Sequence, residues 1–240
     1  HSYNPTTGEE LWRCGGNLFE VIPTPVVGHG LVFCTSGRAG PTLASRPGGS
    51  GDVTESHVVW KTTRGSPFVP SPLLYGDYLY TLNDMSSIIT CLNARTGETV
   101  WQERLGRPQR EAISASPIVV DDALIFSCDG RTEQFVIALH KNTGKVLWKT
   151  PRPKIENQLK YSFCTPLLIK IAGRRQVVFP ATDVVISYEP QTGREIWRVR
   201  YVGDSIIPRP VFGHGLVFVT TRYHSPSLIA IRPDGKGDVT

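Results

Sequence analysis

The sequence has 5 cysteines, Cys14, Cys34, Cys91, Cys128 and Cys164, but no two are adjacent and none forms a Cys-x-x-Cys pair. Thiols this scattered do not make a zinc site, which needs clustered ligands. Cys34, Cys91 and Cys128 fall inside strand patterns, where a free cysteine acts as a small buried hydrophobe. The odd count leaves one disulfide open. No apolar run reaches the length of about 18 residues that a transmembrane helix needs. No leader pattern is present either: His1-Ser2-Tyr3-Asn4-Pro5 starts in the middle of a repeat, so the chain is expected to be a fragment of a longer protein. Gly-x-Ser-x-Gly and P-loop patterns are missing, and His1, His29, His57, His140, His214 and His224 show no i, i+4 pairing. No metal site is predicted; Asp234-Gly235-Lys236-Gly237-Asp238 lacks the alternating acids and the final Glu of a calcium loop and reads as a flexible turn.

Charge is modest as well. Charged residues make up 20% and hydrophobic ones 40%, an ordinary globular composition. The net charge is +5, yet the cations are scattered through loops: Arg104, Arg107, Arg110, Lys149, Arg152, Lys154, Arg174, Arg175, Arg198 and Arg200. They form no dense block with interleaved aromatics, so no nucleic-acid partner is expected. They read as solvated surface, with a phosphate- or lipid-facing basic face as the alternative.

What the chain does have is a repeat. Thr96-Gly97-Glu98-Thr99-Val100-Trp101 returns as Thr7-Gly8-Glu9-Glu10-Leu11-Trp12, Thr143-Gly144-Lys145-Val146-Leu147-Trp148 and Thr192-Gly193-Arg194-Glu195-Ile196-Trp197. Val58-Val59-Trp60 ends the same way. The five tryptophans Trp12, Trp60, Trp101, Trp148 and Trp197 are spaced 48, 41, 47 and 49 residues apart, a period typical of radial or stacked arrays. Gly8, Gly97, Gly144 and Gly193 each close a polar run between apolar alternations, as a hairpin turn with φ > 0 requires. A Trp at one phase of every unit is expected to wedge between neighbouring units.

Each unit reads as four short strands. Blades are expected at about 19–64, 65–107, 108–155 and 156–203, with partial blades at 1–18 and 204–240. Four-stranded antiparallel units at this period predict an all-β, single-domain β-propeller with about five blades' worth of strands. Whether the ring is open or closed is left undecided, and open blade edges would favour self-association. Gly28-His29-Gly30-Leu31-Val32-Phe33 recurs at 213–218, and Gly51-Asp52-Val53-Thr54 recurs at 237–240. Because Trp60 follows Thr54 by six residues, the analogy predicts a Val-x-Trp about six residues past Thr240.

The Thr-Gly-x-x-x-Trp hairpins, and the Ser/Thr-Pro that opens most units, resemble the pyrroloquinoline-quinone-like β-propeller repeats. That family includes quinoprotein alcohol dehydrogenases and the propeller lipoprotein of the outer-membrane assembly machine. Its fuller repeat, Ala-x-Asp-x-x-Thr-Gly-x-x-x-Trp, is relaxed here: Asn4, Asn93, His140 and Glu189 stand at the Asp position. The resemblance implies a propeller in an extracytoplasmic, periplasmic or cell-envelope protein. It implies less for the cofactor, since the vicinal Cys-Cys of the quinone enzymes has no counterpart and no Asp or Glu matches their calcium or catalytic motifs.

In a propeller, the residues opening strand one and those ending strand two share a face. Thr24, Ser71, Ser116, Thr165 and Arg209 open strand one, and Asp84, Asp129 and Asp183 end strand two. They are the candidate ligand-binding set. Ordinary turn chemistry explains the hydroxyls and carboxylates equally well, but does not ask for Arg209. No catalytic residue and no cofactor is assigned. The expected function is a non-enzymatic binding or scaffold propeller that holds a protein or polysaccharide partner. The alternatives are a quinone- and Ca2+-dependent alcohol-dehydrogenase-like domain and a sensor domain fused to another module.

Overall fold

The computed structural model describes residues 1–38, 40–63, 65–106, 115–130, 133–156, 160–204, 206–221 and 226–240. The expected blade limits at Arg64 and Arg107, together with Arg110 and His224, lie outside the described residues. The chain forms two compact units, His1–Leu105 and Gly106–Thr240. Both contain four-stranded antiparallel sheets whose strands follow one another in chain order, the architecture of a β-propeller with four-stranded blades.

The first unit holds two such sheets. One has strands Val26–Gly28, Leu31–Thr35, Thr42–Ser45 and Val58–Lys61; the other has Leu73–Tyr75, Tyr78–Asn83, Ile88–Asn93 and Thr99–Arg104. The second unit holds the sheets Ile118–Val120, Ala123–Asp129, Gln134–His140, Val146–Pro151 and Leu167–Ile171, Arg174–Ala181, Val184–Tyr188, Glu195–Arg200. It ends with a three-stranded sheet, Val211–Gly213, Leu216–Thr220 and Leu228–Ile231. Middle strands carry the core: all seven residues of Ala123–Asp129 are buried, and those of Thr99–Arg104 are exposed apart from the half-buried Trp101.

The fourth strand departs from simple alternation. In each of five pairings the register slips by one residue just before the tryptophan. Cys91 faces Trp101 while Leu92 faces Thr99, which leaves Val100 as the extra residue of a β-bulge. Leu11, Val59, Leu147 and Ile196 occupy the same place. One inserted residue reverses the face to which the following side chain points, so the bulge aims each indole.

Three indoles have a defined destination. Trp60 Nε1 donates to Ala94 O at 3.0 Å, and Trp148 Nε1 donates to Pro190 O at 2.9 Å. Both acceptors lie in the turn that precedes the next blade's Thr-Gly, and the rings lie on that turn's glycine. Gly97 has φ +75 and Gly193 φ +70, and a Cβ on either would come within 2.6 Å of Cδ2 of Trp60 or Trp148. Glycine is needed here for the left-handed backbone and for the ring. Trp197, fully buried, reaches its neighbour through a relay: Nε1 donates to Gln176 Oε1 at 2.7 Å, and Gln176 Nε2 donates to Pro233 O at 2.9 Å. Pro233 occupies in the last sheet the place of Ala94 and Pro190. The turn itself is held by Asn93, whose Oδ1 accepts from Arg95 N at 2.9 Å and Thr96 N at 3.2 Å, and Asn4 caps Thr6 N and Thr7 N in the same way. Gly193→Ala is expected to cost about 2–5 kcal/mol, from backbone strain plus the ring clash. Gly8→Ala, with φ +75 but nothing near the added methyl, should cost only about 1–2 kcal/mol. Urea unfolding of the two variants checks the difference.

The repeated Gly-Asp-Val-Thr is not a flexible turn. Gly51–Asp52 pairs in parallel with the strand Glu10–Arg13, setting Trp12 opposite Gly51 and Arg13 opposite Asp52. Gly237–Asp238 pairs in parallel with Glu195–Arg200, setting Trp197 opposite Gly237 and Arg198 opposite Asp238. Each copy clips onto the outer edge of a fourth strand by the same bonds. Val53 N donates to Arg13 O at 2.9 Å and Val239 N to Arg198 O at 3.0 Å. Gly15 N donates to Thr54 Oγ1 at 2.7 Å and Arg200 N to Thr240 Oγ1 at 2.8 Å. The threonine hydroxyl in turn donates to its own aspartate, at 2.7 Å for Asp52 and 2.6 Å for Asp238.

These bonds hold the Asp52 and Asp238 carboxyls below their ordinary value of 3.8, the threonine hydroxyl being the main cause and Arg13 or Arg200 assisting. A carboxyl lowered in the folded state adds stability that is present above its unfolded value and lost as pH falls through the folded value. Amide protection of Val53 and Val239, corrected for intrinsic exchange, is therefore expected to hold above pH 3.8 and to fall below it.

Candidate functional site

The hydroxyls that open strand one are tied to one another in the first unit. Thr24 is exposed, and its N–H donates to Ser71 Oγ at 3.0 Å; Ser71, Ser116 and Thr165 are half-buried. Arg209 is exposed and makes no hydrogen bond or ion pair with the described residues.

The carboxylates that end strand two are held by the protein itself. In the first unit, Asp84 is fully buried, and its Oδ1 accepts from Phe68 N at 2.8 Å. In the second unit, Asp183 sits in a turn at φ 60, and its Oδ1 accepts from Gly203 N at 3.1 Å.

Asp129 is the most constrained. Its side chain is 1% exposed and that of Arg152 2%. Arg152 Nε lies 2.7 Å from Oδ1, a close ionic contact too bent for a hydrogen bond, and Nη2 donates to Oδ2 at 3.1 Å. The Ser127 hydroxyl donates to the same carboxylate. Arg152, read from the sequence as a solvated surface cation, is thus a buried one, with its guanidinium 5.5 Å from the Phe179 ring centre. The correction has a simple cause: Arg152 N donates to Gln134 O at 2.9 Å, which carries the chain one step past Val146–Pro151 and turns the side chain inward. Burial pushes the Asp129 carboxyl up and Arg152 pulls it back, while Asp129 keeps the guanidinium protonated.

Around this pair stand Tyr188, Tyr201 and Cys164. Burial pushes the Tyr188 phenol and the Cys164 thiol each up to about 12, so neither ionises near neutrality. The Tyr188 hydroxyl and Arg152 Nη1 are buried without a hydrogen-bond partner among the described residues. The adjoining cavity, lined by Asp129, Gln134, Arg152, Lys160, Thr182 and others, holds about 10 Å³, the space of one water molecule. No substrate-sized group fits there. Larger hollows lie at sheet rims: one of about 190 Å³ beside Asp121, Asp122 and Pro190, and one of about 250 Å³ beside Val199, Ile229 and Arg232. The surface also carries an apolar stretch, with Leu18, Phe19, Val21 and Ile22 each at least half exposed.

The family profile described as "Outer membrane protein assembly factor BamB" matches residues 1–163 and again 132–237. The chain belongs to this family. Among solved structures, the BamB of Moraxella catarrhalis superposes with TM-score 0.70 at 16% identity, over 90% of this chain and 62% of that one. A quinohemoprotein alcohol dehydrogenase of Comamonas testosteroni superposes with TM-score 0.63 at 14% identity, over 90% of this chain and 42% of that one. At such identities the likeness concerns the fold. By sequence, a quinoprotein ethanol dehydrogenase of Pseudomonas aeruginosa is 29% identical over 133 residues, 48% of this chain and 20% of that protein. The quinoprotein alcohol dehydrogenase PedH of Pseudomonas putida is 25% identical over 159 residues, 61% of this chain and 26% of that protein. This member of the BamB family thus spans about a fifth to a quarter of the curated relatives it matches.

A quinone held through calcium needs carboxylate oxygens that are open to a cation. The three candidate carboxylates do not form such a set. Asp84 and Asp183 accept backbone N–H groups, Asp129 is neutralised by Arg152, and no group of three or more His, Cys, Asp or Glu converges among the described residues. All five cysteines are free. No described helix is long and apolar enough to cross a membrane.

Proposed function

We propose that this chain is part of an extracytoplasmic scaffold that holds a protein partner on its propeller blades, as an envelope assembly factor does. One observation carries the reading: the three candidate carboxylates each serve the protein's own structure, Asp129 in a buried pair with Arg152 and Asp84 and Asp183 through one oxygen each to a backbone N–H. The family match, described by its assembly factor, supports the same reading. The exposed Leu18, Phe19, Val21 and Ile22 offer the apolar contact area that protein partners use. The test is retention of envelope proteins on the immobilised chain, with Phe19→Asp expected to lower the yield of one specific protein. Equal yields from both chains, with no protein retained above a control column, would overturn the reading.

The second reading is a quinone- and calcium-dependent dehydrogenase domain, favoured by the sequence likeness to the ethanol dehydrogenase of Pseudomonas aeruginosa. Titration with pyrroloquinoline quinone and Ca2+, followed by quinone absorbance, separates the two. The scaffold reading expects no saturation. One-site saturation that is lost in Arg209→Ala would favour the enzyme.

A further inference from the structure

The two clips show that the outer edge of a fourth strand can read a short extended sequence. The edge supplies three features, counted from its tryptophan. The residue one place on gives its carbonyl to the valine N–H, as Arg13 and Arg198 do. The residue three places on gives its N–H to the threonine hydroxyl, as Gly15 and Arg200 do. A guanidinium holds the aspartate: Arg200 Nε lies 2.9 Å from Asp238 Oδ2, and Arg13 Nε lies 3.4 Å from Asp52 Oδ2.

The remaining fourth strands differ at these places. In Val146–Pro151 the third position past Trp148 is Pro151, which has no N–H to give. The guanidinium comes from the first place past the tryptophan in one clip, Arg13, and from the third in the other, Arg200; past Trp60 these places hold Lys61 and Thr63, so neither offers one. Past Trp101 stand Gln102 and Arg104. Thr99–Arg104 has the register of the clipped strand, with Ile88 facing Arg104 as Val184 faces Arg200, and Cys91 facing Trp101 as Ser187 faces Trp197. Gln102 and Arg104 are exposed, and Thr99–Arg104 is the edge strand of its sheet. Arg104 Nη1 donates to Ser86 O at 3.0 Å, in the turn before the inner neighbouring strand, so an incoming carboxylate would meet the guanidinium at Nε or draw it outward.

We propose that the outer edge of Thr99–Arg104 is a docking site for an extended partner segment carrying Gly-Asp-x-Thr, added in parallel as the chain's own two clips are. Strand addition of this kind draws affinity from main-chain bonds and specificity from alternate side chains. Here the specificity lies in the aspartate, read by Arg104, and the threonine, read by the Arg104 N–H. The inference deepens the scaffold reading by naming the chemistry of a partner, and it rests on that reading.

The test uses the full 240-residue chain and a fluorescent peptide with the sequence of residues 49–57, Gly-Ser-Gly-Asp-Val-Thr-Glu-Ser-His. Polarisation is expected to saturate. Peptides with Asp→Asn or Thr→Ala should bind at least about tenfold more weakly, the scale of losing one charge-assisted hydrogen bond. Arg104→Pro removes the N–H and Arg104→Glu repels the aspartate; each should weaken binding to the same degree while far-UV circular dichroism stays unchanged. Should Arg104→Pro fail to fold, Arg104→Glu carries the test. A photo-crosslinker at the peptide valine should label residues 99–104. Failure to saturate, affinity indifferent to Asp, Thr or Arg104, or labelling of 10–15 or 195–200 in place of 99–104 would each overturn the proposal. Because the titration needs no native partner, it can fail while the retention experiment succeeds, and the reverse.

Discussion

Asp129→Ala is expected to lower the unfolding free energy by about 3–5 kcal/mol, the usual cost of leaving one member of a buried ion pair without its partner. The reason is local. Arg152 is 2% exposed at its side chain, faces Asp129 at 2.7 Å, and already has an Nη1 with no hydrogen-bond partner among the described residues. Removal of the carboxylate leaves a full positive charge among Phe179, Tyr188 and Cys164, none of which can balance it near neutral pH. Arg152→Met should cost somewhat less, because the stranded Asp129 can take up a proton where arginine cannot release one. The double variant Asp129→Leu with Arg152→Met should recover most of the loss, since an apolar pair of similar volume has no charge to desolvate. Urea unfolding of the wild type, Asp129→Leu, Arg152→Met and their double variant gives a double-mutant cycle, with Asp129→Ala measured beside it. A loss below about 1 kcal/mol for Asp129→Ala would mean that the pair behaves as a solvated one.

Trp197→Ala should cost about 3–5 kcal/mol through the cavity it leaves. The side chain is fully buried and packs with Ile169, Val178, Val185, Val217 and Val219, so strands of two consecutive sheets lose the same contact. The hydrogen-bond relay has a separate signature. Gln176 Oε1 accepts from both Trp197 Nε1, at 2.7 Å, and Ser187 Oγ, at 2.5 Å, while its Nε2 reaches Pro233 O. Gln176→Leu keeps the volume and strands those groups, at about 1–3 kcal/mol for each one left unsatisfied. Trp148, with a direct bond to Pro190 O, has no such intermediary. Trp148→Phe should lose that bond and the ring's seat on Gly193, whereas Gln176→Leu loses only hydrogen bonds, so the near-UV spectrum should change in the first and not in the second. Thermal and urea unfolding followed by near-UV circular dichroism would compare them.

The blade pattern was legible because it rests on local rules. Thr-Gly followed by a tryptophan marks a hairpin whose glycine sits at φ +70 to +75, and that geometry is set within a few residues. The five bulges were not legible, because the extra residue is an ordinary Leu, Val or Ile whose displacement only the partner strand reveals. The repeated Gly-Asp-Val-Thr was visible as a repeat, but its action was not: its bonds reach to Arg13 and Arg198, about forty residues away in each case. Arg152 was misread for a related reason. Nothing near it in sequence distinguishes it from Lys149 or Lys154, and its partner Asp129 lies on the second strand of the same sheet. Asp129 ends its strand, and Asp84 and Asp183 lie in the turns that follow theirs. Their use was decided by backbone and side-chain groups that converge only after the sheets pack.

The seating of Trp148 on Gly193, and of Trp60 on Gly97, also bears on how the chain is made. The seat of Trp148 is encoded 45 residues later, and that of Trp60 37 residues later. At a synthesis rate of about 5–20 residues per second, each indole leaves the ribosome about 2–9 s before its seat exists. The blades that carry Trp60 and Trp148 therefore spend those seconds with a large apolar side chain uncovered before whatever chaperone stands at the exit.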